Sequence, residues 1–433
     1  MDTLPLPPRP RVEQYRKRAK ALVAAAHSSD THAVREWSRH WLESLAKLLG
    51  EPITPFVASS IDRAIEHIEK RIRTTGASFT LADAQYLLAD AHGFESWAAF
   101  VRHLETMSGA HADNDPFEAA ADAVVNGDLA ALESLVRTHP DLVRARSTRV
   151  HRATLLHYVA ANGVEDFRQK TPKNAVAIAR FLLDAGADVD AVAETYGGGN
   201  VQTTMNLLVS SAHPAGAGLQ SALVEVLLDH GAKINGVDDD ESPIMTALAF
   251  GYRGASETLA RRGARMDTVL AASALGRLDL VRQYVVDATT VAPGVPLVAP
   301  PWIDIPQGPQ GHIELALVWA CKFNRSDVAV FLLDRGVNPS SKDGSAMTAL
   351  HYAAANGNIA LVDNLLGRGA SLEALNHWDG TVLDSTAHFA VHMPVKGVDY
   401  DALLEALIAR GAKVRSAYPS GNAHIDALFE RHM

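Results

Sequence analysis

Apolar positions along the first hundred residues recur at the spacing of one helix face. Val12, Tyr15, Ala19, Leu22, Val23 and Ala26 form one stripe, and Val34, Trp37, Trp41, Leu45 and Leu48 a second. Gly50 and Pro52 stop the second helix. Ile61, Ile65, Ile68 and Ile72 predict a third. Thr80-Leu81-Ala82-Asp83 reads as a helix start, with Thr80 as cap and Asp83 at the positive end. That helix buries Leu81, Ala84, Leu87, Leu88 and Ala91 and ends at Gly93. Phe94, Trp97, Phe100, Val101 and Leu104 predict a short apolar helix after it. The polar, Gly-containing stretch 108–116 reads as a linker, which leaves 1–107 as an N-terminal helical domain.

From Phe117 the pattern repeats itself. The clearest copy runs Thr348-Ala349-Leu350-His351-Tyr352-Ala353-Ala354-Ala355-Asn356-Gly357 and closes at Leu365-Leu366-Gly367-Arg368-Gly369-Ala370. A second opens at Thr154-Leu155-Leu156-His157 and closes at Leu182-Leu183-Asp184-Ala185-Gly186-Ala187. Helix ends recur at Gly186, Gly231, Gly263, Gly336, Gly369 and Gly411, where a left-handed cap asks for glycine. Thr348 to Thr381 is 33 residues. These segments resemble the ankyrin repeat, in which a turn and a T-P-L-H-x-A-A helix are followed by an antiparallel helix. The resemblance implies an all-α fold: an ankyrin-repeat solenoid of about eight repeats over 117–415, a C-terminal cap over 416–433, and the N-terminal helical domain in front. Through Leu81-Ala82-Asp83-Ala84-Gln85 and Gly93-Phe94-Glu95-Ser96-Trp97, the N-terminal part is similar to a helical region that precedes ankyrin repeats in some bacterial proteins.

The array is not plain. Extra residues fall at 164–174, 193–202, 213–220, 289–312 and 390–399. Long loops inside a packed array are usually functional or disordered. The longest is proline-rich and contains Trp302 and Asp304. In an ankyrin array, the fingers and the ends of the first helices line a concave face. Phe250, Leu275, Phe323, Asn356, His388 and Phe389 map there, so an apolar floor is expected in the middle and C-terminal part. With His377, Trp378 and Trp302 they are the candidate binding residues. The expected function is recognition of a protein or peptide through that face. The alternative is an enzyme or small-molecule binder for an apolar or aromatic ligand, its pocket built by the inserts over the groove.

Candidate chemistry is sparse. Asp384, His388 and His392 are spaced to share one helix face, but without the Glu of H-E-x-x-H. Asp384 and His388, with Asp304, are the catalytic candidates if the chain is an enzyme, and no metal or cofactor is expected. Gly197-Gly198-Gly199 lacks the Lys-Ser/Thr of a phosphate loop, and Asp238-Asp239-Asp240-Glu241 reads as an acidic turn. Cys321, the single cysteine of 433 residues, excludes a disulfide framework and points to a reducing, cytoplasmic setting. Lys and Arg number 40 against 50 Asp and Glu, for a net charge of −10, which argues against nucleic-acid binding. The basic run from Arg9 to Lys20 reads as a solvated helix face. No secretory signal is apparent at the N-terminus, and no apolar run is long enough for a membrane span.

Overall fold

A computed structural model describes residues 3–7, 10–48, 55–106, 115–195, 200–240, 242–297, 308–415 and 420–433. It divides into two compact units, Met1–Lys233 and Ile234–Met433.

The first unit opens with five helices: α1 (Val12–Ala26), α2 (Ala33–Leu48), α3 (Pro55–Thr75), α4 (Leu81–Ala91) and α5 (Trp97–Thr106). Helix α1 packs on α2 and α4, and α2 on α3. Their apolar stripes meet in one core that includes Leu22, Trp41, Ile61, Ile65, Ile68, Ile72 and Leu88. Each such side chain taken fully out of water contributes about 1.5–3 kcal/mol. A second core joins Tyr15, Phe94, Phe100 and Leu104. Tyr15 meets Phe100 edge-on at 4.8 Å, and His92 stacks on Phe100 at 5.3 Å. Thr80 caps α4: the Asp83 N–H donates to the threonine hydroxyl, and the Asp83 carboxylate accepts the Thr80 N–H at 2.7 Å.

Three helix pairs complete this unit: α6 (Pro116–Asn126) with α7 (Leu129–Thr138), α8 (Leu155–Val159) with α9 (Ala175–Asp184), and α10 (Thr204–Leu208), which is followed by α11 (Ala212–Gly216) and α12 (Gln220–Asp229). Between α9 and α10 the chain forms a small antiparallel finger, β1 (Val192–Thr195) with β2 (Asn200–Thr203). The additional residues at 213–220 are therefore largely a short helix and its exit.

Five pairs and a closing helix form the second unit: α13 (Ser242–Ala249) and α14 (Arg253–Arg261), α15 (Val269–Ala274) and α16 (Leu278–Tyr284), α17 (Gly308–Lys322) and α18 (Ser326–Asp334), α19 (Ala349–Ala355) and α20 (Ile359–Gly367), α21 (Val382–His392) and α22 (Tyr400–Ala409), then α23 (Ala423–Glu430). First helices stack on first helices, α13 on α15, then α17, α19 and α21 in order. Helix α17 begins at Gly308, so the last residues of the segment predicted as loop are helical, and His312 is buried. Helix α21 likewise runs to His392, into the segment 390–399 that the repeat spacing marks as an insert.

The Thr-x-x-His signature has a direct physical role. His351 Nδ1 accepts the Thr348 N–H at 3.1 Å and lies 2.7 Å from the threonine hydroxyl, and His157 does the same for Thr154 at 3.1 and 2.8 Å. An acceptor Nδ1 needs a neutral ring, and burial lowers both histidines, His157 to about 4. Helices α9, α12, α14, α18, α20 and α22 all end at a glycine of positive φ, among them Gly369 at 97°.

Candidate functional site

The first helices of the second unit expose their C-terminal ends, and each end leaves backbone carbonyls without an intrahelical partner. Side chains from later repeats close several of them. The Asn356 amide donates to the carbonyls of Cys321 and Lys322 at 3.0 and 3.2 Å and to its own helix at Tyr352. Arg325 reaches the carbonyl of Ala274 at 3.0 Å, and the Tyr400 hydroxyl reaches Ala355 at 3.0 Å. Lys322 passes beyond its neighbour to donate to Ala249 at 2.7 Å, with the Tyr352 ring centroid 5.8 Å from its ammonium. Burial lowers that ammonium to about 8. Tyr352 in turn donates to Asp343 at 2.7 Å. Asn356, expected on the concave face, thus stitches one repeat to another, as do Lys322, Arg325 and Tyr400.

The candidate binding residues separate accordingly. Phe250 is 50% exposed at the end of α13 and lies parallel to Tyr252, ring centroids 6.2 Å apart. Trp378 is 74% exposed on the turn that precedes α21, beside exposed His377. Leu275 and Phe389 are half-buried, and His388 is exposed. Phe323 is only 2% exposed: it belongs to the core, not to a floor. Asn356 is half-buried and committed to carbonyls. Trp302 and Asp304, with residues 298–307 of the proline-rich stretch, lie outside the described residues.

The Asp384-His388-His392 spacing does not assemble a site. Asp384 is the far half of a capping box: its carboxylate accepts the Thr381 N–H and hydroxyl at 2.9 and 2.8 Å. The two histidine rings meet each other at 4.5 Å. Among the described residues, no group of three or more His, Cys, Asp or Glu is placed to hold a metal ion. Cys321 is fully buried, and burial pushes its thiol pKa up, so it is no nucleophile.

A cluster that no motif announced sits in the first unit. Arg149 and Arg168 are buried with Glu118 and Glu165. Arg149 approaches Glu165 at 2.5 Å and Glu118 at 3.2 Å, and donates to the His92 carbonyl at 2.7 Å. Arg168 reaches Glu118 at 2.8 Å, Glu165 at 3.3 Å and Asp122 at 2.8 Å. Tyr158 adds a hydroxyl at 3.3 Å from Glu165, and His151 lies 3.5 Å from the same oxygen. Burial alone would raise Glu118, but the two guanidiniums outweigh it and hold the carboxyl at about 2. Glu165 is lowered by the same balance. Four elements meet here: the end of α4, helix α6, the loop before α8 and the insert 164–174. Thr3 donates its N–H to Asp166 in that insert at 2.9 Å, and Val150 donates to Gly93 at 2.9 Å. The insert is a brace and not an open loop.

Paired antiparallel helices with Thr/His turns and glycine ends make this an α-helical repeat protein. Residues 317–366 match the sequence model of ankyrin repeats (many copies). The chain carries ankyrin repeats. A putative ankyrin repeat protein of Acanthamoeba polyphaga mimivirus is 41% identical over 64 residues, which are 14% of this chain and 16% of that protein. The chain thus aligns with about a sixth of that relative's length. Among solved structures, the ankyrin repeat domain of human ASB11 is 22% identical, with a TM-score of 0.32, covering 69% of this chain and 99% of its own. The ankyrin repeat domain of Bcl-3 is 20% identical, with a TM-score of 0.30, covering 68% and 99%. Among the described residues, no helix is long and apolar enough to cross a membrane.

Proposed function

We propose that this chain is a recognition protein that binds a protein or peptide partner through the repeats of its second unit. Ankyrin repeats are generally protein-interaction modules, and that supports the class of function. The observation that carries the choice of surface is the exposed Phe250–Tyr252 pair at the end of α13. Trp378, more exposed still, gives the same unit a second aromatic anchor. Aromatic side chains are enriched among the few residues that carry most of an interface's binding energy. Lys322, by its bond to the Ala249 carbonyl, fixes the end of α13 that presents Phe250.

The test is affinity capture on the full chain, followed by titration of the recovered partner. Phe250→Ala and Trp378→Ala should each weaken binding by at least ~5-fold, about 1 kcal/mol, with the fold intact. Unchanged affinity in the double variant would remove this surface from the function.

A further inference from the structure

The helical bundle of the first unit carries a half-open cavity of about 370 Å³ at its surface, between the second half of α3 and the start of α4. Lys70, Arg71, Phe79, Asp83, Tyr86 and Leu87 are among its walls. Its floor is apolar, for Phe79 and Leu87 are 3% and 4% exposed. Its rim is cationic. Tyr86 is 41% exposed, and the Arg71 guanidinium lies 5.5 Å from its ring centroid. The sequence explains why the space is not filled. Lys70, Arg71 and Thr74 share one face of α3, next to the isoleucine stripe that enters the core. Arg71 lies over the Tyr86 ring, but cationic side chains with charged ends do not fill the space above Leu87 as an apolar face would.

The charges around it are uneven. On the other faces of α3, Glu69 pairs with Arg35 at 2.8 Å and Asp62 with Arg39 at 2.6 Å. Neither Lys70 nor Arg71 has a carboxylate partner among the described residues. The one acid in the wall, Asp83, is occupied by the Thr80 N–H and hydroxyl at 2.7 and 2.6 Å. Two cations above an apolar floor, in a space at the lower end of the ~300–1,000 Å³ typical of ligand sites, define a ligand with both characters.

We propose that this cavity is a ligand site separate from the ankyrin repeats, and that it takes a small amphiphilic carboxylate. The apolar or aromatic body rests on Phe79, Leu87 and Tyr86. The carboxylate lies between Lys70 and Arg71, where a guanidinium can hold both oxygens. A bare solvated charge patch would instead respond to any anion, whatever its body.

Calorimetric titration of the full chain with benzoate, benzamide and inorganic phosphate separates these cases. Benzoate should saturate at one site, with benzamide and phosphate each at least ~10-fold weaker. Lys70→Glu with Arg71→Glu should lower benzoate affinity by ~10-fold or more, and Tyr86→Ala should weaken it further than it weakens phosphate. All three positions are exposed, so circular dichroism should stay unchanged. The proposal is overturned by absence of benzoate saturation, by phosphate binding as well as benzoate, or by benzoate affinity that survives the charge reversal.

Discussion

The repeats of both units stack through apolar side chains, and the units differ in the polar contacts added to that stacking. In the first, a buried set of two arginines and two glutamates joins the helical bundle, the first repeats and the 164–174 insert. In the second, the first helices from α13 to α21 stack through small and apolar side chains such as Ala271, Ala316, Leu317, Ala353 and Ala354. Polar residues there act at helix ends, where Lys322, Arg325 and Asn356 bind backbone carbonyls. The difference is in how failure spreads. Weakened apolar packing between neighbouring repeats is a local deficit. One charge removed from a buried quartet leaves another uncompensated for every element that shares it.

The largest effect should therefore follow Arg149→Met, at about 3–5 kcal/mol, measured by denaturant unfolding of the first unit. Replacing Arg149, Arg168, Glu118 and Glu165 together by apolar residues of similar size should cost less than the single change. If the single variant were the milder one, the quartet would not be the joint described here. The same cluster sets an acid limit. Glu118 has its folded pKa depressed from 4.5 to about 2, so its contribution is present above pH 4.5 and is lost as pH falls toward 2. Stability of the first unit should fall across that window in wild type, and much less in the apolar quadruple variant.

Leu365→Ala should cost about 2–5 kcal/mol, because the side chain is fully buried in α20. Hydrogen exchange should show the loss concentrated in α19–α22. A uniform loss over the whole chain would contradict the local character of the second unit. Smaller again is Asn356→Ala. It frees two carbonyls of the preceding first helix at a half-buried site and should cost about 1–2 kcal/mol by thermal unfolding.

The sequence declared the second unit far better than the joint in the first. Thr348, His351, Gly357 and Gly369 are local signals, each tied to a cap or a positive φ within its own repeat. The isoleucine stripe of α3 was equally legible because helical period alone places it. The quartet was not: Glu165 and Arg168 stand three residues apart, but Glu118 and Arg149 lie far from them in the chain and no local pattern joins the four. A trace existed: Glu118 lies on the face of α6 that carries Phe117, Ala121 and Val125, and a charge there needs a partner. Register also misled at Phe323. It precedes a left-handed residue, Asn324, as Phe250 precedes Gly251, yet one ring is buried and the other is in water. Position in a repeat gives the direction of a side chain but not what the adjoining repeat lays over it. The candidates around the start of α21 fared unevenly too, with Trp378 at the surface and Asp384 absorbed into a helix cap.

The central claim is that the first unit's buried quartet is the joint most sensitive to the loss of one partner, and that recognition lies on the second unit's exposed aromatics. One paired measurement tests it: melting temperature and partner affinity for Phe250→Ala/Trp378→Ala and for Arg149→Met, with binding measured well below the lower melting point. The account predicts that the aromatic double variant keeps its melting temperature and loses binding by ~10-fold or more, while Arg149→Met melts earlier and binds as wild type does. The reverse pattern, or binding lost in Arg149→Met alone, would contradict it.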